Sequence, residues 1–156
     1  MKPILPIKRS EQLKSLSREH HDALLFIWKI RKGLRNKTGL TIIAGYINWF
    51  WENHLNHHFN DEERILLPHL AVADPLARQL KAEHESIRKF FETEWNEKSI
   101  DSFITLLNDH IRFEERQLFP YAEKVIQEKE LNSIYEQLLK EAAQCKNWDN
   151  EFWKNK

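Results

Sequence analysis

The sequence predicts an all-α protein, an antiparallel up-down four-helix bundle with an additional C-terminal helix. In five successive segments, apolar residues recur at spacings of three and four, the pattern of amphipathic helices that face a core. The connections between the segments are short, and short connections place neighbouring helices antiparallel. Glycine and proline, which weaken or break helices, account for only 3 and 5 of the 156 residues.

The first two helices are predicted over residues 10–36 and 41–67. Ser10 is placed to cap the start of the first helix, and Gly39 follows its end. The second helix stops before Pro68, because proline lacks the amide proton that a helix interior needs. Each helix has a core-facing stripe that mixes aliphatic and polar residues. The stripes are Leu13, Leu16, His20, Ala23, Ile27, Ile30 and Leu34, and then Ile43, Ile47, Phe50, His54, His58, Glu62 and Ile65.

Three further helices are predicted over residues 75–95, 99–127 and 130–144. Pro75 suits the first turn of a helix, whereas Pro120 lies inside the fourth segment and is expected to kink it or end it early. The stripes are Leu80, His84, Ile87 and Phe91; Phe103, Leu106, His110, Phe113 or Glu114, Leu118 and Val125; and Leu131, Ile134, Leu138 and Ala142.

The length fits one domain over residues 1–156, with the bundle core over about 10–127 and the C-terminal helix and tail over about 130–156. The tail carries Trp148, Phe152 and Trp153. Because an isolated apolar tail is unfavourable in water, these side chains are expected to cover the bundle or a partner subunit.

Charge and composition exclude several classes of protein. The 24 basic and 24 acidic residues cancel, which argues against the basic footprint of a nucleic-acid-binding protein. No apolar run reaches the roughly 18 residues of a membrane span. Cys145 is the only cysteine, so neither an intrachain disulfide nor a CxxC metal site can form, and we assign it no role. The N-terminus, broken by Pro3 and Pro6, lacks the apolar region of a signal peptide, and a cytoplasmic location is predicted.

An internal repeat links the second and fourth helices. Residues 58–68 and 110–120 both read HxxxEERxLxP, 52 residues apart. The helices before them match more weakly, through Glu19-His20 and Glu83-His84. The chain is therefore interpreted as a helical hairpin repeated twice, in which each hairpin contributes a histidine and then a histidine with a glutamate.

The repeat predicts a metal site in the core. Residues four apart on a helix share one face, so each HxxxE pair aims an imidazole and a carboxylate at one point. Burying these groups without partners would cost several kcal/mol, a cost that metal ions remove. A mixed set of imidazoles and carboxylates suits iron, manganese or zinc, and the two carboxylates can bridge two ions. The predicted ligands are His20, His58, Glu62, His84, His110 and Glu114.

Other interpretations of these residues stay open. A hydrogen-bonded polar core without metal is disfavoured, because half-satisfied buried polar networks are destabilising. His54 lies one turn before His58 but has Leu106 as its repeat counterpart. It is either an extra ligand, a group that supports the ligands, or a residue of the core edge. Glu63 and Glu115 are expected to form exposed ion pairs with neighbouring arginine or lysine side chains.

The arrangement over residues 13–123 resembles the hemerythrin-like family, also called HHE cation-binding domains. Members have a histidine on the first and third helices and HxxxE on the second and fourth. The resemblance implies an up-down bundle around a non-haem di-iron centre with carboxylate bridges. Two iron ions are therefore the expected cofactor, with zinc or manganese as alternatives in a recombinant sample. When the family pattern is matched to this sequence, the implied ligands are His20, His58 and Glu62 in the first half and His84, His110 and Glu114 in the second.

The oxygen carriers of that family differ from this chain. They place two histidines four apart on the third helix, where this chain has Arg88 after His84, and a histidine and an aspartate five apart on the fourth helix. The chain therefore resembles the bacterial-type domain. Two octahedral ions offer about twelve positions. Four histidines, two bridging carboxylates and one bridging oxygen leave roughly two of them open, against one in a five-histidine site.

Two functions are compatible with such a site, and a third possibility is a regulatory module whose fold stability reports metal availability. The first is a non-enzymatic binding module, a monomer or homodimer, that binds or senses dioxygen, nitric oxide or iron. It is favoured because no acid, base or nucleophile stands out elsewhere. The second is a redox or repair protein for peroxide, nitric oxide or iron–sulfur clusters, although repair relatives usually carry an N-terminal cysteine-bearing region that this sequence lacks. Ferritin-like Glu-x-x-His pairs and the HExxH motif of zinc peptidases are both absent from the sequence.

Overall fold

The computed structural model describes residues 8–141 and 148–154. Within these ranges the chain forms helices, turns and irregular connections, and no β-strand. The predicted all-α class is confirmed. The expectations for Ala142, Cys145 and residues 1–7 lie outside the described residues. None of the helices in the described ranges combines the length and the apolar character needed to cross a lipid bilayer.

Four helical segments form the bundle, and a fifth helix packs across one end. The helices are α1 (Lys14–Arg35), α2 (Leu40–Phe50), α3 (Asn56–Asp61), α4 (Pro75–Lys89), α5 (Glu97–Phe113), α6 (Phe119–Val125) and the C-terminal α7 (Glu128–Lys140). The first segment is α1, and the second runs from α2 through α3 to His69. The third is α4 with a short 3₁₀ turn to Glu92, and the fourth runs from α5 through α6.

Neighbouring segments run antiparallel. Phe26 of α1 stacks on Phe50, whereas Glu19, earlier in α1, reaches His58, later in the second segment. Contacts between the second and third, third and fourth, and fourth and first segments run in the same reversed order. The segments therefore form an up-down bundle, as the short connections predict.

The two long even-numbered segments contain π-helical turns. Two of the three turns cover the EERxL part of the repeat, so each begins at a predicted ligand. In such a turn the amide bonds to the carbonyl five residues earlier, as Leu67 does to Glu62 and Phe119 to Glu114. The turns are Trp51–Leu55, Glu62–Leu66 and Glu114–Leu118.

Pro120 was expected to kink the fourth segment or to end it early; helix continues past it to Val125, so the second of these alternatives is wrong. In an α-helix the proline ring would clash with the carbonyl four residues earlier. The wider π turn directly before Phe119 changes that spacing, and Pro120 then occupies the first turn of α6, which continues to Val125.

Two helix starts carried a predicted signal, and α4 follows it whereas α1 does not. Helix α1 begins at Lys14, and Ser10 does not cap it; the Ser10 hydroxyl instead accepts a hydrogen bond from the Leu13 amide in the preceding turn, at 3.3 Å. The carboxylate of Asp74 caps α4, with Pro75 in its first turn.

A layer of polar side chains divides the apolar core into two clusters. The cluster towards the end of α1 includes Phe26, Ile30 and Phe103. The cluster towards the start of α1 includes Leu16 and Leu118 and is covered by α7. The aromatic tail packs on the first cluster, where Phe152 is buried and lies so close to Gly33 that a β-carbon there would be 2.5 Å from its ring. The tail therefore covers the bundle, one of the two expected positions.

Candidate metal centre

The polar layer contains all six predicted ligands, and each of them is buried. The exposed fraction is 0 % for Glu62, His84 and Glu114 and does not exceed 4 % for the other three. Their side chains form two groups that share both carboxylates, and in each group the potential donor atoms lie within 4.8 Å of one another. The groups are His20, His58, Glu62 and Glu114, and Glu62, His84, His110 and Glu114.

Every segment of the bundle places one imidazole in this layer. The Nε2 atom of each ring faces a carboxylate: His20 lies 2.9 Å from Glu114 Oε2, and His58 and His84 each lie 3.2 Å from Glu62 Oε1. His110 Nε2 is in contact with Glu114 Oε1. The helical spacing of four residues thus brings imidazole and carboxylate together in both repeats, as expected.

Four further glutamates, which we call the outer glutamates, hold the opposite nitrogen of each ring. Each Nδ1 lies within 2.9 Å of a carboxylate oxygen from the preceding segment of the bundle. Around the bundle the first segment lies next to the fourth, so the four bonds close into a ring. The pairs are Glu19 with His58 (2.8 Å), Glu63 with His84 (2.6 Å), Glu83 with His110 (2.7 Å) and Glu115 with His20 (2.9 Å).

The outer glutamates determine how the imidazoles face the centre. An ionised carboxylate only accepts hydrogen bonds, so each Nδ1 donates, and a neutral ring then has its lone pair on Nε2. All four Nε2 atoms and all four oxygens of Glu62 and Glu114 are buried without a hydrogen-bond partner. Leaving any such atom unpaired costs about 1–3 kcal/mol, and within the protein itself only ion pairs between the imidazoles and Glu62 or Glu114 offset that cost.

These eight atoms fit metal ions. Imidazole nitrogen and carboxylate oxygen are the donors that iron, manganese and zinc accept. Histidine ligands in metal sites regularly donate their other ring proton to a carboxylate, which fixes the ring and raises its basicity. The four Nδ1 contacts have that arrangement.

The pKa values reflect the charge gathered in the layer. Burial lowers the pKa of His20, but the charge of Glu114 and the contacts with Glu114 and Glu115 together outweigh burial and raise the pKa to about 9. Burial likewise opposes protonation of His84, yet contacts with Glu114, Glu62 and Glu63 raise its pKa to about 10. Burial raises the pKa of Glu114, whereas His110 and His20 hold it well below its usual range. Metal cations would balance the charge of the Glu62 and Glu114 carboxylates and would therefore displace protons from the imidazoles.

Aromatic rings form the walls of the layer. The Phe59 ring stacks on His84, with 3.8 Å between the ring centroids, and Phe119 stacks on His20 at 5.3 Å. Both phenylalanines are fully buried. They restrict the orientation of the imidazoles and exclude water from two sides of the centre.

The expectation that Glu63 and Glu115 form exposed helix pairs is wrong. Their side chains are 26 % exposed, and each binds an imidazole on a neighbouring segment. Arg88 braces Glu63 at 2.7 Å, and Ser17 donates to Glu115 at 2.8 Å. A sequence signal did exist, because each outer glutamate stands beside a predicted ligand at matching places in the two repeats.

His54 belongs to neither group of potential donors. Its ring stacks on Phe50, with 4.9 Å between the centroids, and lies 5.3 Å from the Trp49 ring. Arg88, which follows His84 by one turn, binds Glu63. The structure thus brings together the six main candidates and leaves His54 at the edge of the layer.

Comparisons with known proteins agree with this geometry. A family model described as the hemerythrin HHE cation binding domain matches residues 11–122. No curated protein and no solved structure matches the chain. The match covers well over half of the chain and includes all six residues of the two groups. The chain therefore belongs to the family of hemerythrin HHE cation-binding domains.

Proposed function

We propose that the protein binds two iron ions in the polar layer and uses them to bind or sense a small diatomic ligand, dioxygen or nitric oxide. The observation that supports this proposal is the set of eight buried, inward-facing nitrogen and oxygen atoms without a hydrogen-bond partner. They occur as two groups of donors joined by shared carboxylates, which suits a pair of ions better than a single one.

Each ion would be held by two imidazoles and by oxygens of Glu62 and Glu114. Eight protein donors leave about four of the roughly twelve positions of two six-coordinate ions to solvent or a small ligand. When bound, non-haem iron supplies open coordination positions and one-electron redox chemistry.

The residues of this chain would orient the donors and keep the centre dry. The outer glutamates hold the four Nδ1 protons, so the imidazoles present only Nε2 to the centre. Phe59 and Phe119 offer no proton to a bound ligand. This environment favours reversible binding over a reaction that needs a positioned proton donor.

Metal content tests the proposal directly. We expect two irons per chain in the wild-type protein by mass spectrometry, and a loss of bound iron in Glu62→Ala and His110→Ala, because each variant removes a buried donor. His20→Ala should also lose iron, whereas His21→Ala, which changes the exposed neighbour of His20, should retain both ions. Full occupancy in the Glu62→Ala protein would contradict the assignment.

An optical experiment tests the ligand. The reduced, iron-loaded protein should gain a visible absorption band in air or nitric oxide and lose it again under argon, because the small ligand occupies an open position reversibly. His110→Ala serves as the control that should show no band. Irreversible oxidation, or turnover of peroxide or nitric oxide, would instead favour the redox alternative.

A further inference from the structure

A cavity of about 200 Å³ extends from the surface to the polar layer. It lies between α1, the second segment and α7, and its walls include three carboxylates and two imidazoles. His58 is one of these walls, and its Nε2 atom lies 3.2 Å from Glu62. A single side chain therefore separates the cavity from the centre. The polar lining residues are Ser15, Glu19, Asp22, His54, His58 and Asp61.

Asp61 is the residue of this cavity that most needs a partner. It is 3 % exposed, and its Oδ1 atom is buried without a hydrogen-bond partner. Its Oδ2 atom lies 3.3 Å from His57 Nε2, which helps to hold the side chain in place. A buried carboxylate oxygen without a partner is costly, and a cation in the cavity would remove that cost.

The internal repeat shows that the four-helix fold does not require this lining. In the second repeat, the positions of His54 and Asp61 are taken by Leu106 and Phe113. The matching depression on that side is lined by Arg112 and Arg116 as well as acidic residues, and His110 does not line it. Of these two depressions, only the cavity beside α1 has a predicted ligand, His58, in its own lining.

We propose that the acidic cavity is the loading route of the centre, where a hydrated divalent transition-metal ion binds transiently before it passes His58. This inference rests on the proposed two-metal function. Carboxylates that line a cleft concentrate cations and raise association rates by about 10- to 1,000-fold. At about 30 Å³ per water, the cavity has room for an ion with several waters.

The residues of the route have distinct roles. Asp22 is exposed at the outer end and would attract the ion, and Asp61 would bind it within the cavity. Glu19 both lines the cavity and accepts the hydrogen bond from His58 Nδ1, at 2.8 Å. It therefore connects the loading route to the ring of bonds around the centre.

The rate of metal uptake tests this proposal. Chelator-treated protein is mixed with Co²⁺ in a stopped-flow instrument, and the visible band of the bound ion is followed, with final metal content measured on the same samples. We expect uptake roughly tenfold slower in Asp61→Asn and in Asp22→Asn, by the electrostatic enhancement quoted above, with unchanged final content. Asp109→Asn removes one carboxylate from the depression on the other side and should load at the wild-type rate.

The outcomes separate the two proposals. Equal uptake rates in all four proteins, with full final content, would overturn the loading route and leave the two-metal centre standing. Wild-type protein that binds no metal would overturn both. If Asp61→Asn fails to fold, as helical circular dichroism would show, the exposed Asp22→Asn variant decides the question by itself, and a wild-type rate in that variant counts against the route.

Discussion

Removal of bound metal should lower the melting temperature of this protein by about 8–16 °C. An ion that binds only the folded chain stabilises it by mass action, by about 4 kcal/mol when its free concentration is a thousand times the dissociation constant. For a domain of this size each kcal/mol shifts the melting temperature by roughly 2–4 °C. Thermal unfolding followed by circular dichroism, with and without a chelator, measures the shift, and added metal should reverse it.

The Glu62→Ala protein provides the control for this experiment. Because that variant lacks an oxygen donor shared by both groups, its melting temperature should be the same with and without chelator. Identical melting temperatures for the metal-loaded and chelator-treated wild-type protein would mean that no ion depends on the fold. That result would contradict the proposed centre.

The second large effect is expected at an outer glutamate. Glu63→Ala should weaken metal binding by about 10- to 100-fold, the usual effect of removing the carboxylate behind a metal-bound histidine. The substitution leaves every proposed donor in place but frees the His84 ring, whose Nδ1 lies 2.6 Å from Glu63. Competition with a chelator of known affinity measures the change.

Two comparisons make the experiment on Glu63 selective. Glu85→Ala removes an exposed glutamate next to His84 and should leave the affinity unchanged. Glu115→Ala should resemble Glu63→Ala, because Glu115 holds His20 in the corresponding way. Wild-type affinity in both outer variants would show that the ring of hydrogen bonds does not support metal binding.

The helices were predictable because their core-facing stripes repeat at 3.6 residues per turn. That same regularity hid the π turns, since a pattern of period 3.6 does not reveal a local bond to the residue five positions earlier. Pro120 was therefore expected to kink the helix or to end it early, whereas the wide turn before it lets the helix continue past the ring. The start of α1 was also predicted too early, because a serine in the preceding turn was taken for a cap.

The grouping of His58 with Glu62 and of His110 with Glu114 was predictable because the repeated HxxxE spacing fixes each pair on one helix face. The outer glutamates were missed, although they stand beside predicted ligands in both repeats, because consecutive residues on a helix point about 100° apart. Glu63, next to buried Glu62, therefore looked like a surface residue. Its contact with His84 depends on how the second and third segments pack. The proposed role of Asp61 was hidden for a similar reason, since the cavity that it lines is formed together with Leu138 of α7.

The ring of outer bonds has a consequence for the architecture as a whole. Two of its four bonds lie within a hairpin, Glu19 with His58 and Glu83 with His110, and the other two cross between hairpins. Each donor group likewise takes three residues from one hairpin and a carboxylate from the other. The centre is thus a two-fold interface inside a single chain, equivalent to a symmetric dimer of hairpins whose subunits have been joined by the connection at residues 70–74.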